Sequence, residues 1–230
     1  MTITADHTTT TLSVALREGT RTDHDHAEGA DFIGALMSGR LPLGAYIALA
    51  AQQHAIYGAL EAAVTTTRTG EPRLAALFDP LLDRTAAIEA DLDYLTEGLW
   101  RADTPTAEWS ALPATERYVE AINEATPLQL IAHHYVRYLG DLSGGQVVRR
   151  RLQETYGLSE AGLAFYTFAG IERIKPYRDG YRRALDELAL PADQQAVVVA
   201  EAQAAFGHNR DMFGDLGQRW LAWCALTPTT

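Results

Sequence analysis

Residues 128–148 read Leu-Gln-Leu-Ile-Ala-His-His-Tyr-Val-Arg-Tyr-Leu-Gly-Asp-Leu-Ser-Gly-Gly-Gln-Val-Val. The apolar spacing is that of a helix, yet Gly140, Gly144 and Gly145 interrupt it. A glycine inside a helix costs about 1 kcal/mol relative to alanine, so three cost on the order of 2–3 kcal/mol. A helix that carries this cost bends, or lets something lie directly on its backbone. Gly140 and Gly144 are one turn apart and their bare backbone faces the same way. Asp141 stands between them. The simplest reading is a flat, bulky ligand pressed on a glycine face beside one carboxylate.

Working outward, apolar residues recur at three- and four-residue spacing almost throughout, with no alternating strand pattern and no hairpin signal. The punctuation predicts helices over 12–28, 31–38 (stopped by Gly39), 42–66, 72–99, 113–126, 128–156, 168–188 and 193–223, with Pro176 as a kink. The expectation is an all-α, single-domain fold of about eight helices over 12–224. A Thr-rich disordered tail is expected over 1–11 and a short C-terminal tail over 225–230.

The 230 residues are 47% hydrophobic, which suits one folded domain with a sizeable core. Cys224 is the one cysteine, so no intramolecular disulfide forms and a reducing compartment fits. No apolar run reaches the ~18 residues of a membrane span, and residues 1–11 lack the pattern of a signal peptide. A cytoplasmic protein without a membrane partner is expected. Net charge is −11, from 19 basic and 30 acidic residues, which argues against nucleic-acid binding. The basic residues are nevertheless clustered. Arg149, Arg150 and Arg151 are consecutive, and Arg173, Lys175, Arg178, Arg182 and Arg183 fall in a stretch whose one acid is Asp179. Such local positive surface suits an anionic ligand or partner, although a solvated helix face explains any single arginine equally.

A second segment offers a metal ligand. Arg17, Arg21, His24 and Glu28 are spaced by 4, 3 and 4 residues, a narrow stripe on one helical face. His24 can ligate a metal while Glu28, one turn on, accepts its other ring N–H. Arg21 and Arg17 lie about 4.5 and 10.5 Å along the axis from His24. A ligand with a metal at one point and carboxylates at its edge has that layout, and haem is one. A His and a Glu at i, i+4 are also a common surface hydrogen bond. His26 points about 200° away from His24. His54 reads as a satisfied histidine, at most one of His133 and His134 is expected to face the interior, and His208 could face a cavity. No HExxH, CxxC or paired ExxH spacing appears, which argues against a zinc or di-iron carboxylate site.

Together the two segments resemble the haem (heme) oxygenase family, in its bacterial soluble type. Tyr135-Val136-Arg137-Tyr138-Leu139-Gly140-Asp141-Leu142-Ser143-Gly144-Gly145-Gln146 is similar to the family's distal-helix signature, and His24-Asp25-His26-Ala27-Glu28 to its proximal-histidine segment. Similarity continues through Phe165–Arg182 and Phe206–Phe213 and covers about residues 12–217. The resemblance implies haem b, both cofactor and substrate, held between an N-terminal proximal helix and a Gly-kinked distal helix. It implies His24 as axial iron ligand and Gly140 and Gly144 against the haem face. Tyr135, Arg17 and Arg182 would hold the propionates, with Arg178 and Arg21 assisting. Lys175, Arg178 and Arg182 would line one edge of an apolar stripe of Ile171, Ile174, Tyr181 and Leu185. The implied reaction uses dioxygen and electrons from an external donor, either ferredoxin with its reductase or a flavoprotein reductase, and yields biliverdin, carbon monoxide and ferrous iron. Asp141 would anchor ordered waters that deliver a proton, with Arg137 and Tyr138 in that network. An ion pair from Asp141 to Arg137 is the alternative for that carboxylate. Arg149–Arg151 would dock an acidic donor. The other function open on this fold is a non-catalytic haem-binding or storage protein, which has no need of Asp141.

Overall fold

The computed structural model describes residues 10–28, 30–102 and 109–226, without the side chains of residues 25, 27, 28 and 221–226. Ten α-helices and no strand occur among the described residues: α1 Leu12–Gly19, α2 Arg21–Glu28, α3 Asp31–Met37, α4 Leu43–Gly70, α5 Thr85–Thr96, α6 Pro113–Glu124, α7 Pro127–His134, α8 Gly140–Tyr156, α9 Ile174–Glu187 and α10 Ala192–Leu226. Tails were expected over 1–11 and 225–230. They lie outside the described residues except for Thr10 and Thr11, which lead into α1, and residues 225 and 226, which close α10. No helix among the described residues is long and apolar enough to cross a membrane.

Two helices set the frame. α10 has 35 residues and α4 has 28, so they are about 52 and 42 Å long at 1.5 Å per residue. α10 packs on α1, α2, α3, α6 and α7, while α4 packs on α5, α6 and α7. Leu16, Phe32, Leu36, Ile56, Leu60 and Leu216 are sealed between these elements. The interior also holds Tyr46, Tyr57, Tyr118 and Tyr138, each almost wholly buried. A buried phenol brings a polar tip that needs a partner, and two of these tips reach the site described below.

The departures from the expected helices have local causes. The single helix over 12–28 is two, broken at Thr20. Gly19 sits so close to α10 that a Cβ there would lie 2.5 Å from Val199 Cγ1, and the Thr20 hydroxyl donates back to the Leu16 carbonyl at 2.8 Å. The expected helix over 72–99 is only α5, preceded by two 3-10 turns, Pro72–Leu74 and Pro80–Leu82. Pro80 has no N–H for a longer helix, and the Asp79 carboxylate accepts from the Leu81 N–H at 3.0 Å. Arg84 then ties the segment down, donating to the carbonyls of Leu82 at 2.9 Å and Thr167 at 2.8 Å. The helix expected over 168–188 begins only at Ile174. Pro176 therefore lies in its first turn, where no amide is required, and opens the helix rather than kinking it. Ile171 is buried but precedes α9, so the stripe of that helix is Ile174, Tyr181 and Leu185. Asp91 of α5 holds the connection from α8 to α9, accepting the N–H groups of Ala164 at 2.6 Å and Phe165 at 2.8 Å.

Candidate active site

The Gly-interrupted stretch is not one bent α-helix. α7 starts with a capping box, in which Thr126 and Gln129 satisfy each other's backbone amides. After His134 the chain widens into a π-helical segment, Tyr135–Leu139, and α8 resumes at Gly140. A π segment re-aims side chains relative to the α turns around it and recurs at functional sites. Here it buries Val136, Arg137, Tyr138 and Leu139 together and delivers Gly140 and Asp141 immediately after.

The glycines divide by what they face. A Cβ built on Gly140 or on Gly144 meets no atom within 4 Å, whereas one on Gly145 lies 3.3 Å from Tyr166. Gly145 is small because a neighbour packs on it. Nothing in the fold requires Gly140 or Gly144 to be small, and their open backbone is a cradle that side chains would fill. An aromatic macrocycle fits such a face. A direct prediction is that Gly140→Ala and Gly144→Ala each stabilise the protein without haem by up to about 1 kcal/mol while weakening haem binding. Denaturant melts paired with absorbance titrations check both signs.

Asp141 borders this cradle, half-buried. Its Oδ2 accepts a hydrogen bond from the Tyr57 hydroxyl. Burial pushes the carboxyl above its ordinary value, against the opposing pull of Arg137 and the Tyr57 hydrogen bond. Burial also pushes the Tyr57 phenol well up, so it stays a donor at neutral pH. The expected alternative, an Asp141–Arg137 ion pair, is not what the guanidinium makes. Arg137 donates to Asn209 Oδ1 at 2.6 Å and lies over the Tyr57 ring, 4.7 Å from its centroid. Tyr138 does not reach Asp141 either. Its hydroxyl donates to Glu61 at 3.3 Å, and its ring meets Tyr57 edge-on. The sequence reading named Arg137, Tyr138 and Asp141 but gave no role to Tyr57, Glu61 or Asn209. Tyr57 and Glu61 are four residues apart on α4, a polar-tipped pair in an otherwise apolar run, and that spacing was the available signal.

On the other side, the His24 ring is exposed to solvent and meets Phe206 of α10 edge-on at 6.0 Å. Phe206 and Asn209 are three residues apart, so one turn of α10 touches both His24 and Arg137. The side chain of Glu28, expected to orient His24, lies outside the described residues. Among the described residues, no cluster of three or more His, Cys, Asp or Glu side chains could hold a metal ion by itself. A site without such a cluster suits an iron already carried by a macrocycle, which needs one histidine from the protein.

The basic residues converge at one edge. Tyr135 lies beside Thr20, and burial raises its phenol while Thr20, Arg182 and Arg17 draw it down. Arg178 donates to Ser143 of α8 at 2.9 Å, next to Gly144. Arg182 is half-buried and donates to Asp179 at 3.1 Å, and Lys175 pairs with the same carboxylate at 3.3 Å. Arg17 is exposed, 3.8 Å from Glu18. Arg149 is paired with Glu160, and Arg151 lies 3.4 Å from Glu154, so of that triplet Arg150 carries the most uncompensated charge.

His54, His133, His134 and His208 are held within the fold. His54 lies 3.1 Å from Glu89, as expected of a satisfied histidine. His208 stacks on Tyr118 at 5.0 Å. One expectation fails: both His133 and His134 are buried. Two consecutive helical residues face inward here because α7 is covered on separate sides, by α10, where His133 lies 3.0 Å from Glu201, and by α9, where His134 meets Tyr181. Burial lowers the His134 pKa to about 3, against roughly 6.5 in an unfolded chain. The unfolded state therefore takes up a proton first as pH falls, so this contribution is complete above pH ~6.5 and is lost towards pH ~3. Between pH 7.5 and 5 it amounts to about 2 kcal/mol. The prediction is that His134→Ala, although less stable at pH 7.5, loses less stability over that interval, as measured by urea unfolding.

An all-α bundle with a bare glycine face, a flanking carboxylate and phenol, a histidine and a basic edge defines a haem-binding protein of the oxygenase type. Comparison places it in a family. The family model for heme oxygenase matches residues 10–215. Heme oxygenase 1 of Nostoc sp. is 36% identical over 209 residues, covering 89% of this chain and 85% of the relative, and heme oxygenase 1 of Synechocystis sp. is 32% identical over 89% and 84%. The crystal structure of the Synechocystis heme oxygenase-1 in complex with heme superposes with a TM-score of 0.86 at 30% identity, covering 94% of this chain and 97% of that one. Heme oxygenase from Leptospira interrogans gives 0.80 at 32% identity over 89% and 98%. The chain belongs to the heme oxygenase family.

Proposed function

We propose that this chain is a haem-degrading oxygenase in which haem is both the bound group and the substrate. The observation that carries the reading is the Gly140–Gly144 face, open where nothing in the fold requires it, with the Tyr57-bonded Asp141 carboxylate at its border. Bound haem supplies the iron that reduces dioxygen and the ring carbon that is oxidised, giving biliverdin, carbon monoxide and ferrous iron.

The protein's part is to hold, orient and protonate. His24 of α2 would ligate the iron. Gly140 and Gly144 let the macrocycle approach the backbone. Arg17, Arg178, Arg182 and Tyr135 receive the propionates, and guanidinium groups suit this because they bind carboxylates with two parallel N–H bonds. Tyr57 occupies Oδ2 of Asp141 and leaves Oδ1 for water in the pocket. A carboxyl whose pKa is raised by burial sits nearer the working pH and passes a proton more readily than a free one. Arg137, fixed by Asn209, tempers that rise and lies over the Tyr57 ring.

A binding or storage protein has no use for the Asp141–Tyr57–Arg137–Asn209 arrangement, since passive binding moves no proton. The electron donor is an acidic ferredoxin or flavoprotein reductase that docks on the basic Arg149–Arg151 stretch, where Arg150 and Arg151 are exposed. The lone cysteine suits a cytoplasmic setting. The test is turnover with each donor system in turn, measuring biliverdin and carbon monoxide per haem consumed. Equimolar yields with at least one donor are expected. Haem bound and reduced by every donor, with neither product formed, contradicts the reading.

A further inference from the structure

One buried polar contact joins the distal segment to the basic helix and has no part in the chemistry above. His134 Nδ1 and Tyr181 Oη lie 2.7 Å apart, both sealed from solvent. The two rings are parallel within 4°, their centroids 5.6 Å apart. Phe78 and Tyr138 pack on the imidazole at 4.9 and 4.5 Å, so it has no room to turn to another partner. Each member immediately precedes a residue placed at the carboxylate end of the site: Tyr135 follows His134 and Arg182 follows Tyr181. α9 is thus tied to the distal segment at two levels, by Arg178 on Ser143 at the surface and by Tyr181 on His134 in the interior. The surface tie is solvated and long-armed. The buried one is short and directional, and breaking it leaves a polar group unpaired in the core.

We infer that His134 and Tyr181 form a positioning pair that sets the register of α9 against the distal segment and so places Arg178 and Arg182 for the two carboxylates of the substrate. This rests on the haem-degrading reading above. Apolar contact alone lets neighbouring helices slide, whereas one buried hydrogen bond with fixed ring planes admits a single register.

The test separates carboxylate placement from simple stability. Affinities are measured by absorbance titration for haem and for haem dimethyl ester, which keeps the iron and ring but loses both propionate charges. The wild-type protein is expected to prefer the diacid. Tyr181→Phe and His134→Ala are expected to cut that preference roughly fivefold, the size of one neutral hydrogen bond, while leaving diester affinity nearly unchanged. His134→Asn, whose amide reaches the position of Nδ1, is expected to restore it, and it keeps the test open if the alanine variant folds poorly. An equal loss for both ligands, or an unchanged preference in Tyr181→Phe, overturns the pair's role. A wild-type protein that binds haem without preferring the diacid overturns the arginine assignment and this inference with it. A wild-type protein that binds neither ligand contradicts the haem reading itself.

Discussion

His24→Ala reduces haem turnover by more than about 100-fold and removes the spectrum of histidine-ligated haem. Disturbing a residue that merely orients a metal ligand costs about 10–100-fold, and loss of the ligand itself exceeds that. The geometry isolates the effect. The His24 ring is exposed and meets the edge of Phe206, so truncation is expected to leave the core of α1, α10 and α4 in place, and added imidazole can occupy the vacated position. Partial recovery of the spectrum and of turnover with imidazole is therefore expected. His26, on the opposite face of α2, serves as control, and His26→Ala should behave as wild type. Normal ligation in His24→Ala, together with its loss in His26→Ala, would move the iron ligand by two residues and with it the orientation of the macrocycle.

Asp141→Ala leaves haem affinity within about threefold of wild type and lowers the yield of biliverdin by about 100-fold or more, the range of a positioned proton donor. Nothing in the fold depends on this carboxylate for packing, and its protein partner is the Tyr57 hydroxyl. Tyr57→Phe, which keeps Asp141 but frees Oδ2, is expected to lose less. The pH dependence supplies an independent check. Burial holds the Asp141 carboxyl above the ordinary carboxylate value of about 4, so the limb of the rate profile set by its ionisation lies above that value. Arg137 opposes the rise, so Arg137→Leu should move the limb to still higher pH. Initial rates across pH 4–9 for the two proteins decide it. A limb that moves down, or does not move, removes Arg137 from the network.

Much of this site was legible in the chain itself. The glycine trio, the carboxylate inside it and the clustered arginines carry their meaning in spacing, and spacing survives folding when helices stay helices. The parts that escaped are those where apolar periodicity continues through non-helical backbone. Residues 72–84 and 168–173 keep their apolar spacing, but Arg84 ties the first segment to the Thr167 carbonyl, 83 residues away in sequence, and Asp91 holds the amides of Ala164 and Phe165 just ahead of the second from 73 and 74 residues away. The π segment is invisible for a similar reason: one extra residue per turn leaves the apolar composition of Tyr135–Leu139 unchanged. Tyr57 was hidden because a phenol counts as apolar in any periodicity, and only the fold brings its hydroxyl to Asp141. His133 and His134 could not both be assigned inward positions until the helices on both sides of α7 were in place.

The most direct test of haem degradation by this chain is a single time course. The protein is mixed with one equivalent of haem, an electron donor is added under air, and the absorbance spectrum is followed. The account predicts that the Soret band forms on binding, then decays as the broad long-wavelength absorption of biliverdin grows, with Asp141→Ala showing the first event and little of the second. A Soret band that persists unchanged through reduction and aeration in the wild-type protein would contradict it.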